Sequence, residues 1–143
     1  MTWKILFGLL NGSILIVISG IHFFWALGGK VGIESTLPTN LEGKRVLNPK
    51  KMDSALVAVF LLIFALLFFR KAGVLDFYLP PLISRFGTGV ITVIFLQRAM
   101  GDFRYVGFSK KITSTPFAKL DRKYFTPLCL FIGTIGVLLE IVA

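Results

Sequence analysis

The chain has 143 residues, 55% of them hydrophobic, with a mean hydropathy of +0.82 and a formal net charge of +9 at pH 7. That composition excludes an ordinary soluble domain and leaves about four membrane spans of roughly 20 residues each plus loops, with no room for a separate soluble domain. The only cysteine, Cys129, excludes an intramolecular disulfide, a thiol-exchange pair and a cysteine-rich metal site within one chain, and it reads as a small apolar packing residue.

The first apolar run, residues 5–27, would form a helix about 34 Å long, enough to cross a hydrocarbon core of roughly 30 Å with tilt. Lys4 resembles the charged end of a signal peptide, but the run is too long for one and no small-x-small cleavage site follows, so it is read as a retained span. The second run, residues 53–69, has Asp53 or Ser54 to cap its start, and Arg70-Lys71 ends it at the water boundary. A third helix is predicted over 81–100, because Pro80-Pro81 suits a helix start and Gly101 a stop. Arg85, Gly87, Thr88 and Gly89 dilute its hydrophobicity, which makes it the weakest of the four. The fourth, residues 126–143, starts at Thr126-Pro127, and Gly133 and Gly136 allow close approach of a neighbouring helix. The predicted fold class is therefore an all-α membrane protein, a bundle of four transmembrane helices forming one domain over residues 1–143.

Cation placement predicts orientation. The loop after the first span carries Lys30, Lys44, Arg45, Lys50 and Lys51, and the loop after the third carries Arg104, Lys110, Lys111, Lys119, Arg122 and Lys123. Only Lys4, Arg70, Lys71 and Arg85 belong to the other side. The positive-inside bias puts both long loops in the cytoplasm and both termini outside. Clustered cations at a membrane surface also attract anionic lipid or a phosphorylated ligand. Nucleic-acid binding is not expected, because the cations follow membrane ends and no base-reading module is present.

The two halves echo one another. Trp25-Ala26-Leu27-Gly28 closes the first span much as Arg98-Ala99-Met100-Gly101 closes the third, and Pro38 and Pro49 are spaced as Pro116 and Pro127 are. Aligning the prolines sets Lys44-Arg45 on Arg122-Lys123. The pattern points to two repeated helical hairpins, parallel about an axis along the membrane normal. Chance similarity between two amphipathic loops of biased composition accounts for it equally well.

The candidate site lies where polar residues meet the end of the first span. Ser19, His22 and Trp25 recur every three residues and share a helix face. Arg98 and Asp102 are four apart, which allows an ion pair that offsets the cost of an arginine near hydrocarbon. With the proposed topology, His22, Trp25, Arg98 and Asp102 all reach the cytoplasmic boundary, where Lys30, Tyr105 and Asp121 can join them from the loops. In such a pocket His22 is the candidate acid/base, since imidazole titrates near working pH, and Arg98 the holder of a phosphate or carboxylate. The structural reading of the same residues is that His22 bonds a neighbouring helix, Trp25 and Tyr105 belong to an interfacial belt, and Arg98 pairs with Asp102. Asn11 and Glu140 lie near the other membrane surface. They can meet across the bundle, but Glu140 is expected to reach water near the chain's end.

Phosphate loops, H-E-x-x-H and Gly-x-Ser-x-Gly elbows are missing, and one histidine cannot supply a two-histidine metal or haem site within a monomer. Neither a metal nor a cofactor is expected. The segments H-F-F-W-A-L-G-G-K (22–30), R-A-M-G-D-F-R-Y-V-G-F-S-K-K (98–111), T-P-F-A-x-L-D (115–121) and T-P-L-C (126–129) resemble the bacterial domain-of-unknown-function family 3995. The resemblance implies a small four-span protein of a bacterial inner or plasma membrane, and it carries no catalytic role over to any residue. Three functions compete. The first is a binding or accessory module with a basic, aromatic cytoplasmic pocket for an anionic lipid or small metabolite. The second is a membrane enzyme acting on a lipid-embedded substrate through His22, and the third an oligomeric small transporter. Expected partners are membrane lipids, a second copy of the chain or another membrane protein.

Overall fold

A computed structural model describes residues 2–143. It contains four long helices: α1 (Trp3–Ala26), α2 (Lys51–Ala72), α3 (Pro81–Met100) and α5 (Thr126–Val142). A short helix, α4 (Pro116–Leu120), runs through a π-helical turn (Asp121–Phe125) into α5. Among the described residues there is no strand, only an isolated antiparallel bridge between Thr39 and Arg45 in the first loop. Three helices are long and apolar enough to cross a membrane: Trp3–Ala26, Lys51–Ala72 and the continuous Pro116–Val142. α3 falls outside that group, consistent with the polar residues that dilute its first half.

Local chemistry explains the boundaries. Thr2 caps α1 by accepting from the Ile5 N–H. α2 starts one turn earlier than its acidic residue suggested. Lys50 is the capping position, and Asp53 reaches back to accept the Lys50 N–H at 2.7 Å, so the carboxylate closes the first turn from within. α2 ends at Gly73, whose φ of +80° is a left-handed cap. α3 keeps the limits that Pro81 and Gly101 predict.

The fourth helix begins ten residues before Thr126, at the Thr115-Pro116 cap, where the Thr115 hydroxyl accepts the Ala118 N–H at 3.1 Å. Pro127 does not start a helix there but perturbs one already running. Its ring crowds the carbonyl four residues back and it donates no hydrogen bond. The helix widens just before it, and the Thr126 N–H bonds to the Asp121 carbonyl, five residues back.

α1 packs most extensively on α2, and α3 on α5, while α1 against α5 and α2 against α3 close the arrangement. The core joins Leu15 of α1, Leu61, Ala65 and Phe68 of α2, Ile91 and Phe95 of α3, and Ile132 and Leu139 of α5, with Cys129 packed against it. On α1, buried Gly8, Gly12, Leu15 and Ser19 follow a 4-3-4 spacing, the seam of a coiled coil. They face Ala58, Ala65 and Ala72, which recur every seven residues of α2. This small-residue seam lets the two backbones approach. A side chain on Gly8 would meet Ala72 and come within 2.9 Å of the Phe68 carbonyl, and one on Gly12 would strike the Phe69 ring. The Ser19 hydroxyl exploits the approach by donating to the Ala58 carbonyl at 2.7 Å. Gly133 and Gly136 make the corresponding close approach of α5 to α3, against Leu96 and Thr92. Buried Asn11 donates to the Ile132 carbonyl at 3.0 Å, tying α1 to α5 rather than to Glu140.

The proline-aligned loops differ in form. Pro116 opens helix α4, whereas Pro38 precedes the Thr39–Arg45 bridge.

Candidate functional site

At the loop-bearing end, the predicted residues separate into two groups. On α1, His22 is half-buried with its Nδ1 placed 2.9 Å from the Ile18 carbonyl, which requires the proton on Nδ1. The Trp25 ring lies edge-on to it at 4.9 Å, and the Trp25 indole N–H donates to the Val31 carbonyl at 2.9 Å, pinning the first loop against the helix end. Gly28, at φ +101°, turns the chain there. Lys30 is exposed in that loop.

The second group is organised by Asp121. Its side chain is fully buried, and four donors converge on it. Arg98 Nη2 donates to Oδ1 at 2.9 Å, while Oδ2 accepts the Gly107 N–H at 2.9 Å, Lys110 Nζ at 3.1 Å and the Thr126 hydroxyl at 3.0 Å. The π turn makes this possible. Residues five apart diverge around an α-helix but nearly align in the wider turn, which brings Thr126 over Asp121. The partner predicted for Arg98 was Asp102, one turn ahead on the same helix, and that pairing is corrected. α3 stops at Met100, so Asp102 lies beyond the helical register that would place it over Arg98.

Asp102 performs another task. Its Oδ1 accepts the N–H groups of Arg104, Tyr105 and Val106 at 3.0, 2.7 and 2.9 Å, closing a tight turn from Gly101 to Gly107. Burial pushes its carboxyl upward, but these backbone donors outweigh that effect and hold it below the ordinary value of 3.8. Tyr105 therefore joins Asp102 through its backbone, while its ring receives the Arg104 guanidinium at 5.1 Å. Both glycines of the turn are left-handed, and a side chain on Gly107 would come within 2.7 Å of the Ala99 carbonyl. The returning chain satisfies the end of α3, with Phe108 N–H on Ala99 and Ser109 N–H on Met100.

No hydrogen bond or ion pair among the described residues joins the His22–Trp25 group to the Asp121 group. Chemically the two are distinct. A carboxylate offers about four acceptor sites, and Asp121 meets four donors with no surface open to water, so it ties a loop to two helices and has no capacity left to act as a base. Arg98 keeps one buried nitrogen, Nη1, without a partner. Sequence reasoning missed Gly107, Lys110 and Thr126, which reach Asp121 only because the loop folds back on α3. No group of three or more His, Cys, Asp or Glu side chains able to hold a metal occurs among the described residues.

Glu140 also departs from expectation. Still partly exposed, it accepts from Lys71 Nζ at 3.0 Å and from the Thr88 hydroxyl, joining α5 to α2 and α3. A carboxylate beside hydrocarbon is stabilised by such a cation and donor more than by partial exposure.

No curated protein and no solved structure matches the chain. Residues 15–136, most of its length, match the family model described as protein of unknown function, domain-of-unknown-function family 3995, and the chain belongs to that family.

Proposed function

We propose that this chain crosses a bacterial inner or plasma membrane four times and acts as a binding or accessory module whose two long loops form one cytoplasmic face for anionic lipid headgroups. α3 is long enough for a fourth span, since 20 residues rise about 30 Å. Between Arg85 and Arg98 it carries no charge, and its outward side presents Phe86, Val90, Val93 and Ile94. α2 presents Leu56, Phe60 and Ile63 to the surroundings in the same way. Such outward apolar faces suit lipid as the solvent.

The observation that carries the reading is the state of the loop cations. Lys30, Lys50, Lys51, Arg104, Lys111, Lys119, Arg122 and Lys123 are exposed and form no ion pair among the described residues. Exposed Leu27, Val31, Phe103, Phe108 and Tyr124 lie beside or between them in the chain. Each cation near an anionic surface gains about 1 kcal/mol, and the apolar residues gain by entering the interface. Internal pairing takes up only Lys44, Arg45 and Lys110. Because Asp121 is saturated and His22 is tied to its own helix, the geometry supports a charged surface better than a catalytic pocket.

The test compares retained lipid on the purified protein by native mass spectrometry, using phosphatidylglycerol and phosphatidylcholine. Replacing Lys119, Arg122 and Lys123 by Gln should lower phosphatidylglycerol retention about tenfold or more and leave phosphatidylcholine unchanged. Equal retention of phosphatidylglycerol by variant and wild type would overturn the reading.

A further inference from the structure

The end of the bundle opposite the long loops holds a cleft of about 150 Å³ between α1, α2 and the start of α3. Its lining includes Lys4, Arg70, Lys71, Ser84 and Thr88, with Leu67 among the apolar walls. Three cations on one small cleft repel one another and require a reason. Two acids answer part of that charge: Glu140, held by Lys71 and Thr88, and at longer range Asp76 beside Arg70. Arg70 donates to the Phe77 carbonyl and stands 4.0 Å from Asp76, whose side chain is fully exposed. The Lys4 side chain forms no ion pair or hydrogen bond among the described residues.

We infer that this cleft binds a phosphate group, with Lys4 and Arg70 as its cationic holders and Ser84 as a hydroxyl donor. The side chains of Arg70 and Lys71 are only 27% and 20% exposed, so an anion between them meets weaker screening than it would at an open surface. α1 and α3 begin at this end while α2 and α5 finish there, so the helix dipoles largely offset one another and the field comes from the side-chain cations. Arg70 supplies a planar fork suited to phosphate oxygens, and Lys4 a mobile point charge. Lys71, already bonded to Glu140, positions the cleft wall between α2 and α5. The group can come from a lipid headgroup of the adjoining leaflet or from free phosphate. This site stands apart from the loop face and does not depend on it.

Trp3 adjoins Lys4, and the chain has only one other tryptophan, so in Trp25→Phe protein its fluorescence reports on this end alone. Such protein in nonionic detergent is titrated with inorganic phosphate and, separately, with short-chain phosphatidylglycerol. A saturable change is expected, weakened about fivefold by Lys4→Gln and about fivefold or more by Arg70→Gln, and unmoved by Gln at positions 119, 122 and 123. Saturation by both ligands supports a site open to free phosphate, and saturation by phosphatidylglycerol alone supports the lipid headgroup as the source. Lys4→Gln removes no side-chain hydrogen bond or ion pair within the described residues, so it tests binding with little cost to the fold. No saturable change with either ligand, or midpoints unmoved by both substitutions, would overturn the inference.

Discussion

The two ends of the bundle use the same residue types to opposite effect. At the loop end, Arg98 and Lys110 converge on a buried carboxylate that a backbone N–H and a hydroxyl also serve, and the carboxylate is saturated although Arg98 Nη1 keeps no partner. At the other end, Lys4, Arg70 and Lys71 line a cleft in which Glu140 engages Lys71, and positive charge is left over. The difference shows that ionisable residues at a membrane boundary must be judged by whether their partners are complete. Arginine at position 98 holds a fold together, and arginine at position 70 faces an opening.

The largest expected effect comes from removing the saturated carboxylate. Asp121→Ala strands two cations, one of them Lys110 with only 4% of its side chain exposed, and should cost about 3–5 kcal/mol, read from denaturant or thermal unfolding in detergent. Asp121→Asn should cost less, because it keeps an acceptor for Gly107 or Thr126. A loss below about 1 kcal/mol for Asp121→Ala would show that the carboxylate is not saturated. Next comes helix approach. Gly136→Leu must displace Thr92 or part α5 from α3 and should cost about 1–3 kcal/mol in the same assay, with Gly12→Leu comparable against Phe69.

The Asp102 turn is smaller in scale. Asp102→Ala should cost about 1 kcal/mol, as loss of a capping side chain does. Its carboxyl is held below 3.8 in the folded chain, so its contribution is complete above the unfolded value and is lost as pH falls through the lower folded value. Stability of wild type relative to Asp102→Ala should therefore be constant near neutrality and converge only below about pH 4. Convergence at pH 5–6 would mean that the backbone donors do not outweigh burial. The smallest effect belongs to the exposed pair of Glu34 and Arg45, where Glu34→Gln should change stability by about 0–1 kcal/mol and lose even that in high salt.

Much of the fold was legible because membrane spans are written in composition and length. Pro81 and Gly101 bounded α3, and Gly133 and Gly136 marked a close helix approach on α5, though not that α3 makes it. The start of the fourth helix was misplaced because a proline that often opens a helix here follows a π turn within one, and only the Thr115 cap twelve residues earlier reveals it. The candidate site was legible as a set of residue types but not as a set of pairs. Helical spacing favoured Asp102 for Arg98, yet a partner 23 residues away won because the chain turns back at Gly101 and Gly107. Glu140 found Lys71 and Thr88 through packing among three helices, and no local pattern carries that information.

Both proposed surfaces rest on α3 crossing the membrane, and thiol accessibility tests that most directly. In Cys129→Ala protein, Asn48→Cys, Asp76→Cys and Ser114→Cys place single thiols on the first loop, the α2–α3 connection and the second loop, all at exposed positions. Intact cells or spheroplasts treated with a membrane-impermeant maleimide should label position 76 and spare positions 48 and 114 until the membrane is opened. Labelling of 48 and 114 from opposite sides would show that α3 does not cross and would contradict the account.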